Sequence, residues 1–326
     1  MKKIKVGIIG AGWVARRHLE VSRAVKGIEI VGIASRTKSK AAVLAREFKT
    51  RVFADAKGLW AETKPDALMI LVSPDQTYRV ASSLIPLGLP LFIEKPAGMT
   101  PRENSKLARL AKKYKTKALV GYNRRFYSIF HKGLSIIKKH GPLLGVLVEG
   151  NERIWRVRGA KRYSAKILAN WIFVNGTHTI DLLRFFGGEI EEVKSVSARH
   201  KEKRGDQFSA SLKFKSGALG HYLAHWHSPA GWRVVLYGNG VTVKFDPLEK
   251  GVWVDKNFKE HTILPEACDV RFKPGFFRQM EAFGRLVKSS VREWPMLDLE
   301  GSYKTMLLAK EISANSRHSF QKTKIS

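Results

Sequence analysis

Apolar positions in the first third of the chain form short unbroken runs, separated by longer stretches in which they recur every three or four residues. The runs Ile4–Ile9, Ile28–Ala34, Ala67–Val72, Leu91–Ile93 and Ala118–Gly121 read as buried strands, and Trp13–Val25, Lys38–Glu47, Thr77–Leu87 and Arg102–Lys113 as amphipathic helices. Strands alternating with helices imply right-handed crossovers and a parallel sheet covered on both faces. After about Tyr122 the period changes. A helix over Ile129–Lys139 and a strand at Val146–Glu149 precede alternating runs at Val193–Ala198, Ser209–Phe214, Leu219–Trp226, Arg233–Tyr237 and Val241–Phe245, with turns such as Gly238-Asn239-Gly240 between them. That alternation predicts a mostly antiparallel sheet. Helices over Gly275–Ser289 and Leu297–Ala314, with Pro295 between them, close the chain. The expected fold class is α/β, with a parallel-sheet domain over residues 1–122 and an α+β domain with a mostly antiparallel open sheet over residues 123–326. The final helices are free to pack back on the first domain.

Composition changes this picture little and charge changes it more. With 326 residues and 44% hydrophobic composition the chain can bury sizeable cores. Its formal net charge is +31, which raises nucleic acid, anionic membranes and anionic small molecules as partners. The excess is evenly spread: residues 1–120 carry 24 Lys/Arg against 9 Asp/Glu, and the remainder 35 against 19. A basic arm would be lopsided, so a lysine-rich solvated surface is expected rather than a specific nucleic-acid site. Cys268 is the single cysteine, which excludes an intrachain disulfide and a multi-cysteine zinc site. No metal is expected. No apolar run approaches the roughly 20 residues of a membrane span, and the first residues lead from lysines directly into a strand rather than an apolar leader. The expectation is a soluble, cytoplasmic protein without a membrane partner.

The candidate chemistry begins at the first turn. Gly10-Ala11-Gly12-Trp13-Val14-Ala15 is a GxGxxA fingerprint joining a strand to a helix. Gly10 permits the tight turn, Gly12 lets the backbone approach a pyrophosphate, and Ala15 allows close helix–sheet packing. With the strand before it, the helix after it and a second strand at the right distance, it marks a dinucleotide-binding Rossmann domain. The second strand ends not in the acidic residue usual for NAD but in Ser35-Arg36-Thr37-Lys38. A hydroxyl and two cations, with no carboxylate to repel a 2′-phosphate, favour NADP, with NAD as the alternative. Arg36 and Lys38 are equally compatible with membership of the general basic surface.

Further motifs follow in order: Ser73-Pro74, Glu94-Lys95-Pro96, Gly121-Tyr122-Asn123-Arg124-Arg125-Phe126 and Gly176-Thr177-His178-Thr179-Ile180-Asp181. Together with the glycine turn they resemble the glucose-fructose oxidoreductase, inositol dehydrogenase and rhizopine catabolism (Gfo/Idh/MocA) family over nearly the whole chain. The resemblance implies a nicotinamide held by the turn, including Trp13 and Val14, and by Ser73, Pro74, Tyr78, Glu94, Lys95 and Asn123. It implies substrate in a cleft between the domains, and a Lys95-Pro96 peptide that is cis in many members. It also implies that Lys95 is the principal acid/base group and His178 its partner, with Asn175 and Asp181 near substrate. A lysine ammonium beside a carbonyl can donate the proton that accompanies hydride delivery. His178 reads as the start of a helix, where the dipole keeps imidazole neutral; a structural histidine is the alternative. Asp181 fits a helix-dipole partner as well as a substrate contact. The sequence departs from the family at Val174, where many members carry a carboxylate or amide, and at Tyr78, where a histidine is frequent.

Trp155, Arg158, Arg162 and Trp226 are further candidates for a sugar pocket, since indole faces pack on sugar rings and guanidinium groups bind carboxylate or phosphate. The expected function is an NAD(P)-dependent dehydrogenase or reductase, NADP favoured, acting on CH–OH groups of a sugar, sugar acid or nucleotide sugar. An anionic substrate and a homo-oligomer, dimer or tetramer, are expected. The alternatives are a non-catalytic dinucleotide and sugar sensor of the same fold and, from net charge alone, a nucleic-acid-binding protein.

Overall fold

The computed structural model describes residues 3–314; residues 1–2 and 315–326, at the ends of the two expected domains, lie outside the described residues. The chain divides into two compact units, one holding the chain up to Lys132 together with Leu264–Met306, the other Gly133–Ile263 and the chain from Leu307.

The first unit alternates β1 (Ile4–Ile9), α1 (Trp13–Ser22), β2 (Ile28–Ala34), α2 (Lys38–Phe48), β3 (Val52–Phe53), α3 (Ala56–Thr63), β4 (Ala67–Ile70), α4 (Pro74–Leu84), β5 (Leu91–Ile93), α5 (Pro101–Lys113) and β6 (Ala118–Val120). Its six strands lie in the order β3-β2-β1-β4-β5-β6, all parallel. The order reverses between β1 and β4. Val6, Ile8, Met69 and Phe92 face one apolar layer with Leu19 and Leu44, while Ile9, Leu68, Ile70 and Ile93 face another with Leu59, Ala81 and Leu107. Unbroken apolar runs are what a strand buried on both faces requires. α5 shows how the helix starts are written: Thr100 accepts the Glu103 N–H, Pro101 occupies the first position, and Glu103 reaches back to the Met99 N–H.

α6 (Ser128–Lys139) leads to the second unit, which contains β7 (Leu143–Gly150), α7 (Ile154–Gly159), α8 (Ala165–Leu168), a π-helical turn (Ile172–Gly176), α9 (Thr177–Gly187), β8 (Ile190–Ala198), β9 (Gln207–Phe214), β10 (Leu219–His225), β11 (Trp232–Gly238), β12 (Val241–Phe245), β13 (Gly251–Val254) and β14 (Glu260–Ile263). The strand order is β14-β13-β12-β11-β7-β10-β9-β8. Every pair is antiparallel except β7 with β10. With that single parallel pair, β7, β8, β10, β12 and β14 finish at one end of the sheet, where their loops collect. At Gly150 a Cβ would collide with the Tyr222 hydroxyl, itself in contact with Thr179 of α9 at 3.1 Å. Full burial pushes the Tyr222 phenol well above its ordinary value, so it stays a neutral hydroxyl.

α10 (Ala267–Arg271), α11 (Phe276–Ser289) and α12 (Leu299–Ser313) follow, and Phe283 of α11 packs in the same layer as Phe92 and Leu119. Apolar periodicity thus locates both sheets and most helices. It does not mark β3, α3, β13 or β14, which bury few side chains. Among the described residues no helix is long and apolar enough to cross a membrane.

The loop between β8 and β9 is held by one buried carboxylate. Asp206 accepts N–H groups from His200 (2.9 Å), Lys201 (2.6 Å) and Glu202 (3.0 Å). Burial pushes this carboxyl upward, but those three N–H groups and His227 outweigh it and hold it below the usual aspartate value. A depressed folded-state value stabilises the protein above the unfolded value and is lost as pH falls through the folded one. Asp206→Asn is expected to cost roughly 1–3 kcal/mol near neutral pH in urea unfolding, a deficit that narrows on acidification below about pH 4. A deficit constant across that range would contradict the anchor.

Candidate active site

A cavity of about 450 Å³ opens where the sheet order reverses, walled by the Gly10–Gly12 turn, Ser35-Arg36-Thr37 after β2, and Ser73 after β4. Gly10 has φ +118°, and a Cβ there would collide with the backbone carbonyl of Leu71. Gly12 caps α1 with open space around it; no side chain caps that helix, and its first turn has no acidic residue. Unclaimed N–H groups at a positive helix end, behind a residue without a side chain, suit a pyrophosphate. The cavity therefore fits a dinucleotide on the chemistry of its wall.

Of the residues expected at the cofactor, Gly10, Gly12, Ser35, Arg36 and Ser73 line this cavity. Lys38, exposed at the first position of α2, does not; Lys40 does, together with Arg79 of α4. Asp55 is also in the wall, but its carboxylate accepts the Gly58 N–H as the cap of α3. Trp13 is 53% exposed, with Arg17 and Lys273 over its ring at 5.2 and 4.9 Å. Val14 and Tyr78 pack against the two apolar layers, and Pro74 opens α4. Asn123 is buried, and its amide donates to the Pro274 carbonyl at 3.0 Å.

The Lys95-Pro96 peptide is cis. Glu94 is fixed from two sides: His18 Nε2 donates to one oxygen at 3.1 Å and the Lys95 N–H to the other at 3.0 Å. His18 is fully buried between Phe92 and Phe276, with ring centroids at 4.8 and 4.7 Å. It sits on α1, so the helix that starts at the glycine turn also holds the Glu94-Lys95 segment. Cys268 takes no part in the cavity; burial, then Asp269 and Glu266, push its thiol up, away from the nucleophilic thiolate.

In the second unit His178 is buried one residue into α9, its ring 6.0 Å from that of Trp232. One expectation is corrected here. The π-helical turn Ile172–Gly176 runs straight into α9, and Gly176 itself is αR, so neither His178 nor the buried Asp181 lies at a free helix N-terminus. The dipole therefore gives no reason for a neutral imidazole. The same turn redistributes its side chains: Val174 is buried, whereas Asn175 donates to Glu152 at 2.7 Å. Glu152, buried just past β7, also accepts the Trp171 indole N–H at 2.9 Å. Asn175, Glu152 and Trp232 line a cavity of about 500 Å³. Trp155 and Arg162 are exposed and do not line it. His18, Lys40, Arg79 and Glu152 were not singled out from sequence; each is an isolated residue whose partners lie far along the chain.

A doubly wound sheet with an anion-receptive glycine turn at its switch point defines the class of dinucleotide-binding proteins. Residues 4–122 match the model of an oxidoreductase family with an NAD-binding Rossmann fold, and residues 146–244 match the GFO/IDH/MocA C-terminal domain. The chain belongs to the Gfo/Idh/MocA family of oxidoreductases. It is 26% identical over 126 residues to the rhizopine catabolism protein MocA of Rhizobium meliloti, covering 39% of each. It is 28% identical over 148 residues to glucose-6-phosphate 3-dehydrogenase of Bacillus subtilis, covering 44% of this chain and 41% of the relative. These matches span about two fifths of each relative's length. A UDP-N-acetylglucosamine 3-dehydrogenase of Acidithiobacillus ferrooxidans superimposes with a TM-score of 0.77 at 18% identity, over 96% of this chain and 97% of the other, a likeness of fold.

Replacing His18 by Phe keeps an aromatic ring between Phe92 and Phe276 but removes the donor to Glu94. The expected cost is roughly 1–3 kcal/mol in urea unfolding, the penalty of a secluded acceptor left short of its partner. A variant as stable as the parent would show that the bond contributes nothing.

Proposed function

We propose that this oxidoreductase uses NADP and moves hydride to or from a CH–OH carbon of an anionic, sugar-like substrate. The observation that carries the cofactor assignment is the cation-rich wall of the glycine-turn cavity, in which Ser35, Arg36, Lys40 and Arg79 surround the place where an NAD-selective site has a free carboxylate. The Gly10–Gly12 turn would hold the pyrophosphate, and the hydroxyl and three cations the 2′-phosphate. When bound, the nicotinamide supplies or accepts the hydride. The chain's own residues supply the proton: in reduction the Lys95 ammonium gives a proton to the oxygen that gains negative charge, and in oxidation the neutral amine takes it back. Glu94, fixed by His18, holds the backbone of Lys95 for that task. His178 is the second proton-transfer group, with Asn175 and Asp181 as substrate contacts.

An anionic sugar is supported by the net charge of +31 and by relatives whose names specify phosphorylated sugars. The reading includes a cytoplasmic homo-oligomer. Val196, Leu219 and Tyr237 share one face of the second unit's sheet and are exposed there, which supports self-association. Val174, apolar and buried where many family members are polar, favours a second reading, a sensor that binds dinucleotide and sugar without turnover.

Titration of tryptophan fluorescence should show NADPH binding more tightly than NADH, and Ser35→Asp should narrow or reverse the difference. Equal affinities in the unmodified protein would refute the NADP assignment.

Turnover is to be sought by nicotinamide absorbance with glucose 6-phosphate, UDP-N-acetylglucosamine, sugar acids and neutral sugars, in both directions. With a substrate in hand, Lys95→Met should lower turnover by about 10²–10⁴-fold with little change in NADPH affinity. His178→Asn should lower it less, and the two losses should combine less than additively. Near-native turnover in Lys95→Met would remove Lys95 from the mechanism. Sugar-dependent changes in NADPH binding without turnover of any compound would favour the sensor.

A further inference from the structure

The sheet end of the second unit carries another cavity, about 570 Å³ in volume, which reaches Ile172 of the π-helical turn. Its inner wall is apolar and aromatic, with Leu168, Trp171, Ile172 and Trp226. Its rim is cationic: Arg158, Lys201, Lys203 and Arg204, against Glu202 as the one acid among the described lining residues. Arg158 is paired with Glu202, and Arg204 donates to Asn170 at 2.6 Å. Lys201 and Lys203 have no ion-pair partner among the described residues.

Two features mark this as a built site rather than a gap in packing. Trp226 is 4% exposed and packed against Phe208, yet its indole Nε1 has no hydrogen-bond partner among the described residues. An indole nitrogen can only donate, and a secluded donor left unmade is costly, so the fold holds this ring against the cavity at an energetic cost. The rim lysines, moreover, stand on the loop that Asp206 pins through three N–H groups. The backbone beneath them is held, so binding has to order the lysine side chains and not the loop.

We propose that this cavity binds an organic anion, a phosphate or carboxylate carried on a ring or other apolar body. The anion lies toward Lys201 and Lys203, and the body lies against Trp171 and Trp226. Trp171 lines this cavity and donates to Glu152, which lines the one holding Asn175. The occupant is therefore the remote anionic end of the substrate, a clause that rests on the oxidoreductase reading; the binding site itself does not.

The test is calorimetry on the full chain, without cofactor, using UDP, glucose 6-phosphate and benzoate, with inorganic phosphate and N-acetylglucosamine as comparators. At least one organic anion should bind more tightly than either comparator. Lys201→Gln combined with Lys203→Gln should weaken it about tenfold or more, and Trp226→Phe by less, through the smaller ring face left to the ligand. The lysines are exposed, so this variant should keep the parent's unfolding midpoint, and the effect is then read on binding alone. The proposal is overturned if no organic anion binds, if the lysine variant binds equally well, or if inorganic phosphate binds as tightly as every organic probe. Lysine-dependent binding without turnover of any compound would keep the site and sink the oxidoreductase reading. Turnover of a neutral sugar without anion binding would do the reverse.

Discussion

Strand β1 ends in a turn pressed so closely on the end of β4 that no side chain fits between them. A Cβ on Gly10 would collide with the Leu71 carbonyl, and the φ of +118° is one that L side chains rarely adopt. The contact joins the two strands at which the sheet order reverses, so it sets the width of the crevice there. Ser35 after β2, Ser73 after β4 and the uncapped start of α1 all open into that crevice. Through His18, α1 also reaches Glu94, so the first turn and the segment carrying Lys95 are positioned by one rigid element.

The fold was legible where burial is continuous. β1, β2, β5 and β12 have the limits that apolar runs indicate, because strands covered on both faces or alternating cleanly leave no ambiguity of period. Elements with little to bury were not legible. β3 is two residues paired with Ile33 and Ala34, and α3 buries only Leu59, its start being set by the Asp55 cap. The π-helical turn ahead of α9 is hidden for another reason. Its residues continue a helical pattern, and one wider turn moves Asn175 rather than Val174 toward the polar cavity without altering composition.

Site residues divide in the same way. The places of Gly10, Gly12, Ser35 and Arg36 in the cavity wall are legible because they follow from neighbours a few positions away. Lys38 and Lys40 differ only in where the first turn of α2 points them, which spacing from the glycine turn does not specify. His18 looks like any histidine on an amphipathic helix until folding brings it to Glu94, 76 positions later. Glu152 sits in a polar stretch that reads as an ordinary loop, and only the arrival of Trp171 and Asn175 gives its carboxylate partners.

The parallel pairing of β7 with β10 has a consequence for how such a protein can change. It sends five strands out at the same end, so the loops that follow them meet in space while each remains a separate insertion point in the chain. Lengthening a surface loop carries an entropic penalty that grows only logarithmically, about 0.6 kcal/mol per doubling. These loops can therefore be rewritten one at a time, by insertion, deletion or exchange, while the sheet and the first unit keep their sequence. Divergent substrates among relatives sharing this scaffold are then an outcome of topology as much as of selection.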